Sequence, residues 1–141
     1  YFQCMAVMFQ KITLVASVLL WGYGISQAAD TYAAVCDKVS DFRTFLKEEE
    51  EVADSRVRGA NAFLIGALAL IYASLLHFAG FALWVSSVAL FKFALSASLA
   101  DVFQRELFSG REISRLVYRM MKADGILNAV FAMFIIYLVL V

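Results

Sequence analysis

Residues 59–102 read GANAFLIGALALIYASLLHFAGFALWVSSVALFKFALSASLADV. Before Asp101 only His77 and Lys92 in this run can carry charge. A helix in a soluble core shows a charged face opposite its apolar one, and this stretch has none. It is too long for one membrane crossing, which takes about 20 residues, and it suits two. Barrel strands would be short and alternating, and these segments are neither. In lipid only helices and closed barrels satisfy their own backbone hydrogen bonds. The run therefore predicts two transmembrane helices, over about residues 60–77 and 81–100. A tight turn at His77-Phe78-Ala79-Gly80 joins them, with Gly80 free to take backbone angles that other residues avoid.

Small residues recur on one face of each predicted helix: Ala62, Gly66, Ala69 and Ala73 on the first, Ser87, Ala94, Ala97 and Ser98 on the second. Such faces let helix backbones approach closely in lipid. They serve either packing within one bundle or an interface between subunits.

Composition agrees with a membrane class: 63 % of residues are hydrophobic, 17 % are charged and the mean hydropathy is +0.79. Formal net charge is zero, which offers nothing to nucleic acid. The only cysteines are Cys4 and Cys36, and no Cys/His spacing suggests zinc. No metal and no cofactor is expected. At 141 residues there is room for one small domain.

The opening Tyr-Phe-Gln looks like the remnant of a viral protease site left by recombinant expression, so residues 1–7 are set aside as an N-terminal flank and residues 8–141 are read as one transmembrane domain. Residues 12–29 form a further apolar span, ITLVASVLLWGYGISQAA. Met8-Phe9-Gln10-Lys11, this core and Ser26-Gln27-Ala28 also resemble a secretory signal peptide with its cleavage site. Charge helps to choose. Lys38, Arg43, Lys47, Arg56 and Arg58 precede the double crossing, and Arg105, Arg111, Arg115, Arg119 and Lys122 follow it. Both groups fall on one side, against Lys11 alone on the other flanks. The positive-inside rule places both loops in the cytoplasm and both termini outside, consistent with a bacterial inner membrane and an uncleaved first helix.

The loop over residues 30–58 looks helical. Ala28, Tyr32, Val35, Val39, Phe42 and Leu46 step by three or four residues, an apolar stripe suited to packing on the other cytoplasmic segment. The acidic run Glu48-Glu49-Glu50-Glu51 could draw cations to a pore entrance. Adjacent helical residues point about 100° apart, however, so the run reads first as a solvated helix end.

In residues 102–122, Ser109 followed by Glu112 fits a capping box, predicting a break at Ser109-Gly110 and a new helix beyond it. Ile113, Leu116, Val117, Met120 and Met121 give that helix an apolar face. Arg111, Arg115, Arg119 and Lys122 are candidates for anionic lipid headgroups. The fourth span covers about residues 123–141, with a small-residue face of Gly125, Ala129 and Ala132.

Lys92 is the most informative polar residue, because a charge near the middle of a span costs several kcal/mol. No acid in the other spans is expected at its depth. It either snorkels toward the cytoplasmic end, pairs with an acid of another subunit or partner, or lines a wet cavity. Asp101, Arg105, Asp124 and Asn128 are placed near the cytoplasmic boundary, as anchors and caps or as a polar vestibule. Ser96, four residues from Lys92, is the one candidate nucleophile beside a base, and His77 at the outer turn lacks a second histidine for haem.

The sequence thus predicts an all-α bundle of four transmembrane helices with amphipathic cytoplasmic extensions. The leading functional expectation is a non-enzymatic integral membrane component, acting as a homo-oligomer or as a subunit of a larger membrane complex. A small oligomeric channel or transporter is the alternative, with Lys92, Asp101, Asp124 and Asn128 as its intramembrane candidates. A small enzyme acting on lipid or an apolar electrophile comes third. The expected partners are the lipid bilayer and a second copy or another membrane subunit.

Overall fold

The computed structural model describes residues 2–48 and 54–141, and within them every regular element is an α-helix. The acidic residues Glu49, Glu50 and Glu51 lie outside the described residues. The chain contains no proline, so nothing interrupts the backbone ladders of long, Leu- and Ala-rich segments. Helix α1 spans Phe2–Ala29, α2 Tyr32–Glu48, α3 Asp54–Phe78, α4 Leu83–Phe108 and α5 Arg115–Leu140. All but α2 are long and apolar enough to cross a membrane. At 1.5 Å per residue, helices of 25 to 28 residues run past a hydrocarbon core of about 30 Å. Their outer surfaces are apolar: Phe63 is 79 % exposed and Phe91 75 %, as a lipid-facing surface requires. The chain is a membrane protein of the helical-bundle kind.

The four long helices form a ring in the order α1, α3, α4, α5. Helix α1 packs along α5 and against α3, while α4 packs along α3 and against α5. The diagonal pairs make no close backbone approach among the described residues. Tyr72, Leu76, Val85, Ala89 and Ile135 fill the centre near the α3–α4 turn. Ser17 gives its one hydroxyl proton to the Thr13 carbonyl at 2.7 Å, so the Tyr72 hydroxyl donates to Ser17 Oγ across α1 and α3, at 2.6 Å.

Helices α1 and α5 approach most closely at glycine. A Cβ on Gly24 would lie 2.6 Å from the Gly125 carbonyl oxygen, and one on Gly125 would lie 2.9 Å from the Ala28 nitrogen. Gly24 and Ala28 on α1 thus face Gly125 and Ala129 on α5, small residues four apart on each helix. The α5 face of Gly125, Ala129 and Ala132 expected from the sequence is buried here.

The turn between α3 and α4 follows the expected plan. Gly80 has φ +89°, and the Phe81 and Gly80 amides donate back to the Leu76 and His77 carbonyls, both at 3.1 Å. Helix α4 ends at Phe108, and Gly110 (φ +73°) reverses the chain, as the break at Ser109-Gly110 implied. The cap of the next helix differs. Ser114, not Ser109, caps α5: its hydroxyl accepts from the Val117 amide at 3.2 Å, while Glu106 accepts from the Ser114 amide at 2.9 Å. Ser109 instead donates to the Glu106 carbonyl at 2.7 Å and finishes α4. From Ser114 the chain continues as one helix to Leu140, so the amphipathic segment and the fourth span are a single rod. At the other end, residues 2–7, set aside as a flank, are helical and continue into α1.

Helix α2 lies across the far end of the ring from Gly80. Its stripe packs as expected, Val39 burying against Leu107, Ile113 and Val117 with Val35 and Phe42 beside it. Polar side chains fasten it as well, Arg43 through the most bonds. Arg43 Nε donates to the Leu107 carbonyl at 2.8 Å, and Nη2 donates to the carbonyls of Glu106, at 3.1 Å, and Arg111. The guanidinium thereby caps carbonyls at the end of α4 and in the loop beyond, adding to the bonds that the Glu106 carbonyl already accepts from Ser109.

Candidate functional site

Helices α4 and α5 meet through polar side chains at the depth of Lys92. Lys92 and Ser96 project from α4, one turn apart; Asp124 and Asn128 project from α5, also one turn apart. An ammonium group has three protons to donate, and all three are used. Lys92 Nζ donates to Ser96 Oγ at 2.6 Å, to Asp124 Oδ1 at 3.2 Å and to Asn128 Oδ1. Ser96 passes its own proton to Asp124 Oδ1 at 2.7 Å, and Asn128 Nδ2 donates to Asp124 Oδ2 at 3.3 Å. Lys92, Asp124 and Asn128 are all buried, at 8 %, 4 % and 2 % exposure. The cluster is electrically neutral and internally hydrogen-bonded, the condition under which a buried ion pair is tolerated in a low-dielectric interior.

This placement corrects the sequence reading of an acid-free depth. Asp124 faces the lysine, and Asp124 and Asn128 are buried between the helices. The snorkelling direction is nonetheless present: the lysine stem carries its charge one turn along α4, to the level of Ser96. Asp101 belongs elsewhere. It is half-buried and accepts from Arg58 at 2.7 Å and Arg105 at 2.9 Å, with Asp54 3.7 Å from Arg58. This network ties the start of α3 to the last turns of α4. The Asp101–Arg105 pair follows from their spacing; Arg58 on α3 was not singled out.

The four basic candidates for lipid headgroups are dispersed around the start of α5. Arg111, Arg115 and Arg119 are exposed and Lys122 is half-buried. The Arg115 guanidinium lies 5.8 Å from the Tyr32 ring centre, and Lys122 Nζ lies 5.7 Å from that of Tyr118. Tyr32 and Tyr118 themselves meet edge to face at 5.4 Å, and the Tyr32 hydroxyl donates to the Ile113 carbonyl at 2.6 Å. Among the described residues no three His, Cys, Asp or Glu side chains converge, and Cys4 and Cys36 are free thiols.

A different surface opens between α3 and α4 on the outside of the ring. Ala62, Gly66, Ala94 and Ala97 line a groove of about 610 Å³, bordered by Phe63, Leu70, Leu90 and Phe93. Ala69, which also lines the groove, and Ala73 are buried on the same face of α3. A Cβ at Gly66 would meet nothing within 4 Å. Half of the small-residue face is therefore used inside the chain and half is left open.

Comparison of the chain with protein-family models, curated proteins and solved structures finds no match.

Proposed function

We propose that this protein is a non-enzymatic integral membrane component that works through helix packing, as a homo-oligomer or as a subunit of a larger membrane complex. The observation that carries this reading is the open groove between α3 and α4. Without lipid-expelling forces between helices, close backbone approach is what favours association in a bilayer. Gly66, Ala62 and Ala94 offer that approach on a face the chain does not itself cover. The Lys92 charge does not contribute, since Asp124 neutralises it within the chain. Burial of Gly24 against α5 supports a retained first helix, and the basic residues gathered at the α2 end support cytoplasmic placement of that end.

The test is the mass of the purified protein in gentle detergent by native mass spectrometry. A defined oligomer, or a complex with a co-purified membrane subunit, is expected. Gly66→Leu, which fills the groove, should release monomer without loss of helicity. A strict monomer that co-purifies with nothing overturns the reading.

A second reading, a small channel or transporter, rests on the cluster of Lys92, Ser96, Asp124 and Asn128, because intramembrane ionisable residues commonly mark ion or proton paths. Flux through proteoliposomes that Asp124→Asn abolishes would support it. No flux across a panel of cations, anions and pH gradients counts against it.

A further inference from the structure

Beneath α2 lies a cavity of about 280 Å³ that neither the bundle core nor the α2 stripe fills. We propose that it binds one acyl chain of an anionic glycerophospholipid whose headgroup is held at the rim by Lys122. The walls are apolar where a chain would run: Val35 and Phe42 of α2 face Phe103 of α4 and Met121 of α5. The rim is polar. Lys38 is already committed to Asp30 at 2.7 Å, which cancels both charges. Lys122 makes no ion pair among the described residues; its ammonium lies 3.4 Å from the Tyr118 hydroxyl, which is itself donated to the Asp30 carbonyl at 2.9 Å. The rim as a whole therefore carries one positive charge.

A second observation points to a ligand. Gln27 lines the same cavity, and its amide NH2 donates to the Met121 carbonyl at 2.9 Å. That bond fixes the orientation of the amide and leaves Oε1 buried with no partner. A buried acceptor without a donor costs about 1–3 kcal/mol, so the polar side of this cavity is left one donor short. Cavities that take whole drug-sized ligands span roughly 300–1,000 Å³, so this one suits a segment of chain. Its ends match the ligand, with the uncancelled cation at the rim and hydrocarbon within.

The probe is phosphatidylglycerol added to the full chain in mild detergent, read by native mass spectrometry, with phosphatidylcholine and palmitate in parallel. One phosphatidylglycerol per chain is expected, in clear preference to phosphatidylcholine. Lys122→Gln should weaken it about fivefold, the effect of one basic residue on an anionic lipid. Val35→Trp, which fills the cavity, should abolish it, while Leu64→Trp on the outer surface of α3 should leave it unchanged. Equal retention of both phospholipids overturns the proposal, as does palmitate binding where phosphatidylglycerol does not. Should Val35→Trp fail to fold by circular dichroism, the lysine variant decides: an affinity unchanged in Lys122→Gln overturns the proposal by itself.

Discussion

Asp124 Oδ1 stands 3.2 Å from Lys92 Nζ, so these two buried charges of α4 and α5 neutralise each other. Removing one partner leaves a buried uncompensated charge, at a cost of about 3–5 kcal/mol, whereas replacing both by apolar groups can be neutral. Lys92→Met and Asp124→Leu should each destabilise strongly, and the double variant should recover most of the loss. A double-mutant cycle by denaturant titration in micelles checks this. If the two single losses simply add, the side chains are not coupled and the pair is an accident of proximity.

The α1–α5 seam makes a sharper prediction. Gly24→Ala puts a methyl group 2.6 Å from the Gly125 carbonyl oxygen and 2.7 Å from the Ala129 nitrogen. Both are backbone atoms, so the helices must part. Overpacking of this kind costs about 1–3 kcal/mol. Gly22→Ala, two residues earlier with nothing within 4 Å, should be neutral or slightly stabilising through its better helix propensity. Thermal unfolding of the two variants in one detergent separates a packing effect from a general intolerance of α1.

What the sequence disclosed and what it withheld divide along the range of the interactions. The spans, the Gly80 turn, the α2 stripe and the break at Ser109-Gly110 are set by neighbours a few residues apart, and all were legible. The Lys92–Asp124 pair was not, for two reasons. A lysine stem displaces its charge by about one helical pitch of 5.4 Å, so comparing backbone depths misjudges where the ammonium lies. The side-by-side placement of α4 and α5, which brings Lys92 opposite Asp124, is also a property of the ring and not of any spacing within one helix. Gly24 carries no local signal, because its role is to oppose Gly125, a pairing that exists only once α1 and α5 are neighbours.

Arg43 should be hard to replace, although it sits on the polar side of an amphipathic helix. Its fork reaches three carbonyls from Glu106 to Arg111. A lysine has a point charge and cannot span them. Arg43→Lys should therefore lose nearly as much as Arg43→Ala, about 1.5–3 kcal/mol for hydrogen bonds from a charged donor. Hydrogen exchange should quicken locally, in residues 106–114 and in α2, while the centres of α1 and α5 stay protected. Exchange that quickens evenly along the chain would assign Arg43 to global stability instead.

The two serines of the α4–α5 loop separate the expected cap from the observed one. Ser114 accepts from the Val117 amide and is itself bound by Glu106, through its amide at 2.9 Å and its hydroxyl at 2.9 Å. Ser114→Ala removes the acceptor of a helix N-terminus, which costs about 1 kcal/mol. Ser109 is exposed and its hydroxyl bonds only its own turn, at the Glu106 carbonyl and the Arg111 amide. Ser109→Ala should cost a few tenths of a kcal/mol, within the range of ordinary surface changes. Glu106→Gln should resemble Ser114→Ala, because it weakens the same charge-assisted bonds. Unfolding midpoints measured side by side give the order directly. A Ser109→Ala loss larger than that of Ser114→Ala would move the start of α5 back to the position the Ser109–Glu112 spacing suggested.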